Sequence, residues 1–109
     1  MIDIALGDLA SQAEQEFRRR LDPEFGLVSR KIFGESQFRG GFTLEFSDGS
    51  RQLVATYADM EFEVRLNGHE LFGPAIHDDF AGAMFSREHL REHFPRIVEA
   101  AWSHLNGMG

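Results

Sequence analysis

Between Phe42 and Phe72 apolar and polar residues alternate in short runs broken by turn dipeptides, the period-of-two pattern of strands with one buried face. Asp48-Gly49 and Asn67-Gly68 readily supply the positive φ angles of a two-residue type I′ loop, and Ala58-Asp59 is a weaker turn signal between them. Loops at these places pair Leu44 with Leu53 and Phe42 with Ala55; then Ala55 with Phe62 and Leu53 with Val64; then Leu66 with His69, Arg65 with Glu70 and Val64 with Leu71. The registers agree on two faces. The inward rows are Phe42, Ala55, Phe62; Leu44, Leu53, Val64, Leu71; and Phe46, Arg51, Leu66, His69. The outward rows are Thr43, Val54, Glu63, Phe72 and Glu45, Gln52, Arg65, Glu70. A slip of one residue in any loop reverses a whole strand, so the agreement itself argues for an antiparallel meander.

Upstream, Ile2, Leu6, Leu9, Ala13, Phe17 and Leu21 form a helical stripe, with Asp3 or Asp8 as its cap and Asp22-Pro23 as its stop. Arg18, Arg19 and Arg20 complement the carboxyl end of that helix. Phe25 to Phe33 reads as a strand that turns at Gly34-Glu35-Ser36 into the strand ending at Ser47. Its register stays open: one loop length turns Leu27 and Phe33 inward, another Val28 and Ile32. Gly40-Gly41 is the candidate bulge. Residues 75 to 85 have no clean period and read as a loop or helical turn capped by Asp78 or Asp79. From Ser86, an N-cap, the stripe Leu90, Phe94, Ile97, Val98, Ala101, Leu105 predicts a second helix. Pro95 should kink or split it, and Asn106-Gly107 should close it.

Two apolar helical stripes and one apolar sheet face predict an α+β fold: a five-stranded antiparallel meander sheet with an N-terminal and a C-terminal helix packed on one face, a two-layer sandwich. The 109 residues suit a single α+β domain over 1–109, with no repeat or linker. Eleven of the chain's aromatic residues are Phe, so the core should be bulky and poor in polar handles.

The charge narrows the partners. With 11 basic and 18 acidic residues the net charge is −7, which repels phosphate backbones and anionic bilayers and leaves a basic protein partner, or none. Absence of cysteine rules out disulfides, thiolate catalysis and Cys-ligated metals. No apolar run approaches the roughly 20 residues of a membrane span, and the amino terminus lacks a basic signal region; a cytoplasmic location is the expectation.

Catalytic motifs are missing. His89 and His93 stand four apart on the second helix, downstream of His77, Asp78 and Asp79, but Leu90, Arg91 and Glu92 between them make no HExxH pattern. No GxSxG, Walker or GxGxxG pattern occurs, and nothing calls for a cofactor. Arg51 and His69 share the inward side at one end of the sheet, where they could close the core or hold the head group of an acidic ligand. The outward face carries Glu45, Glu61 and Glu63, a pair of Arg65 with Glu70, and an apolar island of Val54 and Phe72. Size, acidity and plan resemble the small immunity proteins that neutralise bacterial toxins, in type only, since no motif is specific to such a family. The expectation is therefore a non-catalytic protein-binding module using Glu45, Val54, Glu61, Glu63, Arg65 and Phe72. A small-ligand pocket at Arg51 and His69, a metal-dependent enzyme using His77, Asp79, His89 and His93, and a homodimer through a sheet edge or the Phe72 face are the alternatives.

Overall fold

A computed structural model of the protein describes residues 4–21, 23–34, 40–73 and 86–108, the last five by backbone alone. Helix α1 spans Leu6–Arg18; strands β1 (Gly26–Phe33), β2 (Gly41–Ser47), β3 (Gln52–Ala58), β4 (Glu61–Leu66) and β5 (His69–Phe72) follow, and α2 spans Arg87–Met108. The strands lie in sequence order and every neighbouring pair is antiparallel. This is the predicted meander with both helices against it.

The first two loops sit one residue later than the dipeptides suggest, while the third is the expected Asn67-Gly68, with Leu66 facing His69 and Arg65 facing Glu70. Ser47 faces Gln52 and Leu44 faces Ala55, so Gly49-Ser50, not Asp48-Gly49, is the two-residue loop. Asp48 is the reason: its Oδ1 accepts the backbone N–H groups of Ser50 and Arg51 at 3.0 and 2.7 Å, replacing a main-chain acceptor and leaving Arg51 opposite Asp48. The next loop is Asp59-Met60, both residues with positive φ (50° and 68°), as a type I′ turn requires, and Ala58 faces Glu61. Each shift moves the pairing by two residues, an even number. The faces therefore survive although the individual partners change.

The inner rows become Phe42, Tyr57, Phe62; Leu44, Ala55, Val64, Phe72; and Phe46, Leu53, Leu66. Their large side chains, Leu66 only partly, are buried together with Leu6, Leu9, Ala10, Ala13 and Phe17 of α1 and Leu90, Phe94, Ile97, Val98 and Ala101 of α2. Phe62 is the hub. Its ring lies 6.3 Å from those of Phe42 and Phe72 and 5.8 Å from Phe94, so three strands and α2 meet on one side chain.

Strand β1 uses both of the open registers. Leu27 faces Phe46, then the pairing shifts between Leu27 and Ser29, after which Arg30 faces Leu44 and Ile32 faces Phe42. The bulge is at Val28, which corrects its expected place at Gly40-Gly41. Those glycines instead allow close backbone approach: a Cβ on Gly40 would lie 1.9 Å from the Gly34 carbonyl, and one on Gly41 only 1.7 Å from that of Tyr57.

At the ends of the helices, α1 begins after Ala5 with no side-chain cap, so the expected Asp8 cap is not made, and Asp3 and Asp22 lie outside the described residues. Helix α2 starts as expected, Ser86 Oγ accepting the His89 N–H at 3.2 Å. It runs through Pro95 as one helix and continues past Asn106-Gly107 to Met108, against the expected stop. Residues 35–39 and 74–85, including His77, Asp78 and Asp79, fall outside the described residues.

Candidate functional site

The outer sheet face is built by the residues between the buried ones. Ser29, Glu45, Val54, Arg65 and Glu70 form one row across all five strands; Lys31, Thr43, Thr56 and Glu63 form the next. Both helices are on the opposite side, and among the described residues no element covers this one. Glu45, Val54, Glu61, Glu63 and Arg65 are therefore placed together as predicted. Phe72 is not. It is fully buried because the pairing shifts between Val64 and Arg65, so Val64 faces Phe72 and Leu71 no longer takes that place. The bulge turns Phe72 into the core, and among the described residues the large apolar side chains left on this face are Val54 and, at the β1 edge, the exposed Phe33 opposite Gly41.

The acids of this face are also better compensated than the sequence suggests. Arg65 stands between Glu63, at 3.5 Å, and Glu70, at 3.8 Å, and it donates to the Gly68 carbonyl at 3.3 Å. Gln52 Nε2 donates to Glu45 Oε2 at 3.0 Å. Glu61 remains exposed beside the Asp59-Met60 loop. What results is a mildly acidic surface on which most carboxylates already have a partner.

The opposite end of the core holds the second candidate. Arg20, Leu21, Phe25, Arg51, Leu53, Leu66 and Trp102 surround a hollow of about 100 Å³. Arg51 lies over the Phe25 ring, 4.9 Å from its centroid, and Arg20 is hydrogen-bonded to Glu99. Asp48 grips Arg51 through Oδ2, 3.0 Å from Nε. The backbone N–H of Arg51, then that of Ser50, then the Arg51 guanidinium hold the Asp48 carboxyl well below the usual carboxylate range. His69, expected beside Arg51 on the inward side, is exposed and is not among the residues that line the hollow. Both arginines already carry a carboxylate partner, and ligand pockets usually run to about 300–1,000 Å³. This end closes the core.

No family model, curated protein or solved structure compared with the chain matches it.

On α2, His89 and His93 stand with ring centroids 6.3 Å apart, and His93 Nδ1 lies 2.8 Å from the His89 carbonyl, to which it donates. Among the described residues no group of three or more His, Asp or Glu side chains converges to hold a metal ion. His77 and Asp79 of the proposed set are outside them. Likewise, among the described residues no helix is long and apolar enough to cross a membrane.

Two features have no forewarning in the sequence. Arg87 is buried beside Tyr57 and donates to the Ile4 carbonyl at 2.7 Å, tying the start of α2 to the chain before α1. Burial pushes the Tyr57 hydroxyl above its ordinary value of 10.0, with the Arg87 charge opposing the shift. The other is β1, whose Val28, Ile32 and Phe33 stay exposed.

Proposed function

We propose that the protein is a non-catalytic protein-binding module that meets its partner on the uncovered outer face of the sheet. The observation that supports this most is the division of the sheet: one face carries the whole aromatic core, the other presents Glu45, Val54, Glu61, Glu63 and Arg65 without a covering layer among the described residues. Such a face stabilises the fold little, so its residues are free to serve recognition. Its surplus of carboxylates fits a partner with basic contact residues, and neutralisation of a toxin in the manner of immunity proteins is one form this takes. A cytoplasmic setting suits the cysteine-free composition.

The test is affinity capture from the source cell's lysate with the wild-type chain and with an E45K/E61K/E63K variant. A basic partner retained by the first and released by the second supports the reading. A partner held equally by both, or none at all, overturns it.

A further inference from the structure

We infer that the free edge of β1 is a docking site for an extended acidic peptide, added to the sheet as a sixth strand. The inference goes beyond the proposed function: it concerns a different surface and a partner of opposite charge.

Three observations converge on this edge. First, β1 pairs with β2 alone, and among the described residues no strand lies on its other side, leaving main-chain donors and acceptors of an eight-residue strand unpaired by any sheet neighbour. Second, the exposed large hydrophobic residues among the described ones, Val28 (60% exposed), Ile32 (40%) and Phe33 (43%), all belong to this strand. Elsewhere among the described residues such side chains are buried or half-buried; here they flank an open ladder. Third, the strand carries Arg30 and Lys31 and no acid, in a chain of net charge −7.

The charges choose the occupant. Antiparallel pairing with a second copy, centred on Ser29–Lys31, would set Arg30 against Arg30 or Lys31 of its twin, and like charges directly opposite destabilise a pair. An acidic strand reverses that sign. The bulge at Val28 breaks the ladder, so the usable edge is Ser29 to Phe33, about 17 Å of strand. Lys31 projects from the outer face, whereas Arg30 points inward, donates to the Gly7 carbonyl at 3.0 Å and lies 3.9 Å from the Glu14 carboxylate, so Lys31 is the cation this edge offers a partner. A fitting segment therefore has an acid beside Lys31, next to two apolar residues beside Ile32 and Phe33.

The experiment is selection from a random dodecapeptide library on the full-length chain, followed by amide exchange with the enriched peptide and sedimentation of the chain alone. The expected result is enrichment of an acid adjoining paired apolar residues, slowed exchange in residues 29–33, and a monomeric free chain. Lys31→Glu should weaken an acidic peptide about fivefold to tenfold and favour basic ones on reselection, while E45K/E61K/E63K should leave the peptide bound, which separates this site from the outer face. No enrichment, protection outside β1, indifference to Lys31→Glu, or a dimer with β1 already protected would each overturn the inference.

Discussion

Val64 faces Phe72 across the last hairpin, and the Phe72 ring packs 6.3 Å from that of Phe62. A single bulge next to Arg65 decides this, converting what simple alternation makes a surface residue into core.

Phe72→Ala should consequently destabilise the protein by about 3–5 kcal/mol, the cost of emptying an aromatic site in a close-packed interior. Denaturant unfolding followed by the fluorescence of Trp102 measures it. A change within about 0.5 kcal/mol, the range of ordinary surface substitutions, would return Phe72 to the outer face.

This bulge also marks where sequence reading stops. Alternation fixes which side of β2, β3 and β4 is buried, because Phe42, Leu44, Phe46, Leu53, Ala55, Phe62 and Val64 have no other face to share. It is blind to shifts of two residues: Asp48 moves its loop by taking over an acceptor role, and the faces do not change. It fails at odd insertions, and both bulges, at Val28 and beside Leu71, are odd. The candidate site inherits that division. Glu45, Val54, Glu61, Glu63 and Arg65 were legible, Phe72 was not, and the exposure of β1 needed the strand order to be known.

Asp48 makes stability depend on acid. Its folded carboxyl titrates below the ordinary value of 3.8, so its contribution is present above that pH and is lost as pH falls from there toward the lowered value. Comparing wild type with Asp48→Asn isolates it, since other carboxylates are common to both. Between about pH 4 and pH 2 the wild type should lose more stability than the variant. Parallel curves would show that the turn hydrogen bonds do not hold the ionised form.

Tyr57 gives the opposite limit. Its folded hydroxyl titrates above 10.0, so the neutral form supports folding below that pH and the support is lost as pH rises through the raised value. Tyrosinate absorbance should appear late and together with unfolding, a clean signal because the chain has one tyrosine. Tyr57→Phe should stay folded to higher pH. Ionisation near 10 with the fold intact would mean that the hydroxyl reaches water.

The account rests on one sheet having a packed side and a bare one, and Leu53 and Val54, adjacent in β3, sample the two directly. Equilibrium unfolding of Leu53→Lys and Val54→Lys is the measurement. Lysine at 53 should cost about 3–5 kcal/mol or abolish folding, because it buries an unpaired charge; lysine at 54 should cost less than about 1 kcal/mol, the span of strand propensity. Comparable losses at both positions would show that the outer face is itself covered, and would contradict its role as a recognition surface.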